Sequence, residues 1–232
     1  MAAPLPPPAT RGAEPRPDDV PAWTWDDALI RPFGHDPRPR LRIYVPDETL
    51  IVIGRGSRPA RELYLEACRR DAVSVQRRPG GGCAVLLDPG NLILSLALPA
   101  PGLEGITRAY EAITAWLIAG LARIGIEGIE RAGTSDLAQG DCKLGGSCIH
   151  RRRDLLYYST TLLVAPRIDL MERWLRHPPR EPGYRRGRPH RRFVRPLWES
   201  HAWADPVALA RDLTDALAVE SLDINERSRS RR

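Results

Sequence analysis

Residues 77–96 read RRPGGGCAVLLDPGNLILSL, and the order of the parts constrains the whole fold. CAVLLD and NLILSLAL are strand candidates of ordinary length, and a third, VSVQRR, leads into the glycines. RPGGG and DPG punctuate them as turns, which predicts hairpin connections. Three consecutive glycines also let a backbone approach a ligand closely, and their N–H groups can form an anion-binding concavity. Arg77 and Arg78 could add charge-assisted contacts to a phosphate or carboxylate. A flexible hairpin accounts for the glycines equally well at this point. A Walker-type loop does not, because no Lys-Ser/Thr pair follows and the next segment is a strand instead of a helix.

Upstream, LRIYVP and ETLIVIG read as two strands with a turn between them, and ARELYLEACRR reads as a short helix with Leu63, Ala67 and Arg70 along one face. Downstream, Ile106, Tyr110, Ile113, Leu117, Leu121 and Ile124 form a helical stripe. KLGGSCI and LLYYSTTLLV are strands that HRRRD would join as a hairpin, and IDLMERWLRH is a helix ended by Pro178-Pro179. A last helix opens with Asp205 as N-cap and Pro206 in its first turn, with Leu209, Leu213 and Leu217 on one face. There is no regular βαβ alternation. The expectation is one α+β domain over 21–222, with helices packed on a mixed, largely antiparallel sheet. A Pro-rich disordered leader (1–20) and a basic disordered tail (223–232) would flank it.

Bulk properties exclude several classes. No apolar run approaches the ~20 residues of a membrane-spanning helix, and the N-terminus lacks the apolar core of a secretory signal. Cys68, Cys83, Cys142 and Cys148 form no CxxC pair, so neither a zinc framework nor a disulfide scaffold is expected, and the chain reads as cytoplasmic. The net charge of +6 sits largely in RRR (151–153), in 180–193 and in RSRSRR, which suggests an anionic partner without naming it. An arginine-rich nucleic-acid binder is the reading from another class. It finds no helix-turn-helix, zinc finger or ribonucleoprotein motif to support it.

One residue breaks the arginine bias. Lys143, in DCKLGG (141–146), is the only lysine among the 35 Lys and Arg residues. An ammonium is a compact point charge on a flexible stem, whereas a guanidinium is a broad planar fork. A site converging on one oxygen needs the former. Asp136 lies close in sequence and Gly145-Gly146 follow at once.

Taken together, VIGRGSRPARE, RRPGGGCAVLLDPGNLILS, SDLAQGDCKLGGS and STTLLV resemble, in order and spacing, the catalytic domain of lipoate–protein ligases, which is shared with biotin ligases and octanoyltransferases. HPPREPGYRRGRPHRRFVRPL (177–197) is similar to the segment that closes this domain in many ligase homologues, so the resemblance spans about 24–220. It implies attachment of lipoate, or a related medium-chain acid, to a lysine of an acceptor protein through an acyl-adenylate, with ATP and Mg²⁺. It implies that Arg77 to Ala84, with Gly80, Gly81, Gly82 and Cys83 between, wrap the acyl-adenylate. Asp88 and Asn91 would hold the following turn near the nucleotide. Lys143 would contact the acyl carbonyl and the α-phosphate, with Asp136 beside the adenylate and its metal, and Gly146 and Ser147 would leave room for ligand. Cys83 stands where the family has a glycine, Ser135 where an asparagine is common, and Ser159-Thr160-Thr161 where many members read His-Gly-Thr. The larger ligases carry a further C-terminal domain, so the expected partners are a lipoyl-type acceptor domain and a separately encoded accessory subunit.

Two relatives of this reading remain. An octanoyltransferase would draw on acyl carrier protein through a cysteine thioester, and Cys142 and Cys148 flank Lys143. A biotin ligase would use a glycine-arginine loop, of which GRGSRP (54–59) is a partial echo placed differently relative to the helix. A catalytically altered paralogue is the third alternative.

Overall fold

The computed structural model describes residues 20–100, 105–199, 205–222 and 224. The expected leader and tail therefore lie outside the described residues, except for Val20 and Ile224. The strands are β1 (Arg40–Tyr44), β2 (Leu50–Ile53), β3 (Ser74–Arg77), β4 (Val85–Leu87), β5 (Asn91–Pro99), β6 (Glu130–Ala132), β7 (Asp136–Gln139), β8 (Cys142–Arg152) and β9 (Leu155–Leu163). The helices are α1 (Asp27–Ile30), α2 (Pro59–Glu62), α3 (Leu65–Arg70), α4 (Ile106–Arg123), α5 (Ile168–Trp174), α6 (His190–Phe193) and α7 (Pro206–Ala216).

A six-stranded sheet runs β1-β5-β9-β8-β7-β6, antiparallel throughout. A second sheet runs β3-β2-β4, with β2 and β3 parallel. The expected α+β architecture with a largely antiparallel sheet is what the chain adopts. The hairpin expectation around the glycines is corrected. β3 and β4 do not pair; they flank β2 on either side, so RPGGG crosses over the end of β2. DPG likewise joins β4 in the small sheet to β5 in the large one. Likewise β1 and β2 belong to different sheets. Leu50, Ile51, Val52 and Ile53 of β2 are all buried, because both faces of the small sheet are covered.

Alternation along β5 sets the layers. Leu92, Leu94, Leu96 and Leu98 face α4 and α7, in a core with Ile113, Leu117, Leu121, Leu209 and Leu213. Gly120 of α4 lets α7 approach, since a Cβ there would meet a Leu217 methyl at 2.3 Å. The N-cap expectation holds: Asp205 Oδ1 accepts from Val207 N–H at 2.9 Å. The hairpin of β8 and β9 also forms, turning at Arg153-Asp154 with Arg153 in the left-handed region (φ 52°).

Two helices are shorter than expected for one reason. Leu63, wholly buried, takes an extended backbone and bridges Leu175, and Tyr64 N–H donates to Trp174 O at 2.9 Å. This cross-link splits ARELYLEACRR into α2 and α3 and stops α5 at Trp174. Burying Leu63 and Leu175 against Ile51, Ile53 and Met171 outweighs one continuous turn of helix.

Candidate active site

The glycine run lies between the two sheets. A Cβ on Gly54, at the end of β2, would strike Gly82 O at 2.1 Å, and one on Gly80 would strike Cys148 Sγ of β8 at 2.7 Å. Glycine at these positions lets the run close onto the backbone after β2 and onto the Cys148 side chain of β8. The carbonyls of the run are all engaged. Gly80 O accepts from Arg55 N–H (2.9 Å), Gly81 O from Arg78 (2.8 and 3.0 Å), Gly82 O from Ser57 Oγ (3.1 Å) and Cys83 O from Arg78 (2.8 Å). Among the described residues, the N–H groups of Gly80, Gly81, Gly82 and Cys83 have no hydrogen-bond partner. A loop with every carbonyl tied and successive N–H groups free is suited to binding an anion.

Lys143 reaches the same place because of a β-bulge. Leu137 pairs Gly145 and Ala138 pairs Lys143, so Leu144 is an extra residue in β8. Leu144 joins the helix-facing core, and the slip turns Lys143 and Gly146 to the same, opposite face. The ammonium therefore lies over Gly146, where a Cβ would be 2.6 Å from Nζ. Lys143 Nζ donates to Asp136 Oδ1 at 2.7 Å, and Tyr184 Oη donates to Asp136 Oδ2 at 2.9 Å. Burial, then the Asp136 charge, pushes the Tyr184 phenol well above its ordinary value, which keeps it a donor.

The segment 178–195 is strapped over this pair. Val194 bridges Lys143, Arg195 N–H donates to Lys143 O at 2.9 Å, and Arg188 Nη1 donates to Asp141 Oδ2 at 2.8 Å. Arg185, only 4% exposed, stacks over Phe193 at 4.9 Å. Burial, reinforced by Arg185, lowers the His190 imidazole to about 4. At neutral pH it is therefore uncharged, and its 3.8 Å approach to Glu172 is not an ion pair.

Beneath the strap opens a cleft of about 600 Å³, the size of a small-molecule site. One end is lined by Lys143, Asp136, Ser147 and the glycine run, the other by Trp23, Val52, Val85, Leu87 and Ile93. Of the sequence-predicted residues, Arg78, Gly81, Gly82, Cys83, Ala84, Asp136, Lys143, Gly146 and Ser147 line this cleft. Arg77, Gly80, Asp88 and Asn91 stand behind it. Arg77 Nη1 donates to the carbonyls of Gly54 (2.9 Å), Arg55 (3.1 Å) and Ser57 (3.1 Å). Asp88 accepts from Gly90 N–H (2.7 Å) and Arg167 N–H (3.0 Å), and Asn91 Nδ2 donates to Asp88 O (3.2 Å), which braces the turn.

Sequence reasoning missed Tyr184 and Glu62, whose Oε2 accepts from Ala84 N–H at 2.6 Å at the end of the run. No local signal marks either; both are brought in by packing. The two thiols beside Lys143 are poor nucleophiles. Burial pushes both Cys148 and Cys142 up, and thiolate is the reactive form. Among the described residues no group of three His, Cys, Asp or Glu side chains is placed to hold a metal. None of their helices is long and apolar enough to cross a membrane.

The family model of the lipoyl protein ligase A/B catalytic domain matches residues 18–199. The chain belongs to that family. A relative from Aeropyrum pernix, provisionally named a lipoate-protein ligase A, is 34% identical over 140 residues, which is 60% of this chain and 52% of the relative. The chain thus spans about half the length of that relative. Among solved structures, a lipoate-protein ligase A bound with ATP superposes with a TM-score of 0.69 at 21% identity, covering 83% of this chain and 78% of the other. A bi-partite lipoate protein ligase from Thermoplasma acidophilum, solved in work on that ligase and its E2 lipoyl domain, gives 0.69 at 21% identity over 83% and 76%. At that identity the likeness speaks to the fold, and it agrees with the two-sheet architecture of this ligase-family domain.

Proposed function

We propose that the chain is an ATP-dependent lipoate–protein ligase catalytic unit that activates lipoate, or a related medium-chain acid, as an acyl-adenylate and passes it to a lysine of an acceptor domain. One observation carries this reading: the single lysine and the run of unpartnered N–H groups face one cleft that is apolar at its far end. The apolar end suits an aliphatic chain, and the polar end suits a carboxylate beside phosphates.

In the first step a carboxylate oxygen attacks the α-phosphorus of ATP and pyrophosphate leaves. In the second, an acceptor amine attacks the mixed anhydride and AMP leaves. Both steps build negative charge on oxygens beside the carbonyl–phosphate bridge. Lys143 Nζ offers a mobile cation there, and the N–H groups of Gly81, Gly82 and Cys83 offer fixed dipoles in a site shielded by the strap. Asp136, held by Tyr184, keeps the ammonium aimed when the cleft is empty. Mg²⁺ bound with the nucleotide would neutralise the leaving phosphates. With both Asp136 oxygens engaged, such an ion would be held mainly by phosphate oxygens and water.

An acceptor domain and an accessory subunit fit the bi-partite archaeal ligase and its E2 lipoyl domain, and that part of the proposal rests on the fold likeness alone. The test is mass spectrometry of the purified chain incubated with ATP and lipoate, octanoate or biotin, with and without a lipoyl domain. Acyl-AMP and pyrophosphate from lipoate or octanoate support the reading. Transfer from octanoyl acyl carrier protein without ATP would replace it with the octanoyltransferase alternative.

A further inference from the structure

The far end of the cleft is less apolar than its lining suggests. Behind it lies Asp26, 1% exposed, which accepts from Tyr157 Oη (2.6 Å), Ser95 Oγ (2.8 Å), Tyr44 Oη (3.2 Å) and Trp23 Nε1 (3.4 Å). Arg42 stands 3.6 Å away. Ser95 and Tyr157 are buried at 0% and 1%, and both hydroxyls are turned to Asp26. Ser159 is more open: it lines the cleft and is half-buried.

Ser159 Oγ lies 3.1 Å from Ser95 Oγ and also bonds the Tyr157 hydroxyl. A hydroxyl has one proton to give. The Ser95 and Tyr157 protons are both directed to Asp26, so neither remains for Ser159. Ser159 must therefore give its own single proton inward, to the Tyr157 oxygen. Its oxygen then faces the cleft with lone pairs alone. Asp26 thus polarises a short hydroxyl relay whose exposed end can only accept.

Position says which part of a ligand meets that end. Lys143 Nζ lies over Gly146, Gly146 pairs Thr161, and Ser159 is two residues along the same face of β9. Two residues of strand are roughly 7 Å. An acid whose carboxyl touches Lys143 therefore brings its tail, not its head, to Ser159.

We propose that this cleft selects medium-chain acids whose distal carbons carry a hydrogen-bond donor, a hydroxyl or a thiol, over plain aliphatic acids. The inference rests on the ligase reading of the cleft and ranks the acids within it: the cyclic disulfide of lipoate carries no donor, whereas its reduced dithiol and the hydroxy acids do. A neutral hydrogen bond is worth about a few-fold to tenfold in affinity. Stripping the donor from the ligand leaves the Ser159 lone pairs facing carbon.

The test is calorimetric titration of the wild-type chain with octanoate, 6-hydroxyoctanoate and 8-hydroxyoctanoate, alongside an ATP-dependent pyrophosphate assay with each acid. The better hydroxy acid is expected to bind about fivefold more tightly than octanoate, and Ser159→Ala is expected to bring that ratio to about one. Equal or tighter binding of octanoate to the wild type overturns the proposal and leaves the ligase reading standing. So does a ratio that survives Ser159→Ala. If no acid binds and none releases pyrophosphate, the ligase reading itself fails and takes the proposal with it.

Discussion

The two faces of the six-stranded sheet are built from the same strands and do opposite work. Along β9, Leu156, Tyr158 and Leu162 face the helices, while Tyr157, Ser159 and Thr161 face the cleft. Along β5, leucines at 92, 94, 96 and 98 alternate with Ile93, Ser95 and Ala97. One face is dry and repetitive, and its residues matter by volume. The other carries hydroxyls, an ammonium and two well-bonded carboxylates, and its residues matter by position. A strand has two faces with a period of two, so one sequence writes both at once.

The sharpest way to break this division is at Lys143. Lys143→Ala should lower ATP-dependent acyl transfer by about 10²–10³-fold, the loss expected for one donor to a developing oxyanion, without changing the urea midpoint appreciably. Wild-type activity in the variant would remove the residue from the chemistry.

On the opposite face, Leu96→Ala should cost about 2–5 kcal/mol in urea unfolding, because Leu96 is wholly buried between α4 and α7. Activity per folded molecule should change little. A large loss of activity at full stability would show that the faces are not independent.

Gly146→Ala sharpens the comparison from the cleft side. The new Cβ would lie 2.6 Å from Lys143 Nζ and 3.3 Å from Asp136 Oδ1. A flexible ammonium can swing away, so stability should hold, while misplacement of the charge should reduce kcat/KM by about ten- to a hundredfold. Steady-state kinetics beside thermal melting would read both effects.

The smallest expected effect is a pH dependence in the strap. The folded-state value of His190 is lowered to about 4, against 6.5 for the free side chain. Its neutral form is therefore favoured by folding. The contribution is complete above about pH 6.5 and is lost as pH falls through about 4, because the unfolded chain takes up the proton first. Arg185, Lys143 and His177 oppose protonation of this imidazole, and Glu172 favours it. His190→Gln should make the stability profile between pH 7 and 4 flatter, by about 1–2 kcal/mol. An unchanged profile would assign the acid sensitivity elsewhere.

Much of the dry face was legible beforehand. The helical stripe of α4, the Asp205-Pro206 start of α7 and the β8–β9 hairpin all follow from periodicity and capping chemistry. The short polar strands β6 and β7 were not legible, since three or four residues carry little pattern. Nor was the break at Leu63, which depends on a partner 112 positions away at Leu175. In the candidate site the glycine run and Lys143 stood out as unusual residues. Tyr184, Glu62 and the Asp26 relay did not, because a tyrosine or a carboxylate has no local signature of being functional.

What the sequence by itself determined is which residues are exceptional: one ammonium among arginines, three glycines in a row, and alternating leucines that must be buried together. Those are properties of side-chain chemistry and of period, and they survive without any knowledge of contacts. Only the tertiary structure decided that the glycines cross over the end of β2, that one extra residue in β8 turns Lys143 toward them, and that a buried aspartate stands behind Ser159. The reason is geometric. Register, bulges and sheet-to-sheet packing are fixed by the sum of many distant contacts, and no short window of sequence contains that sum.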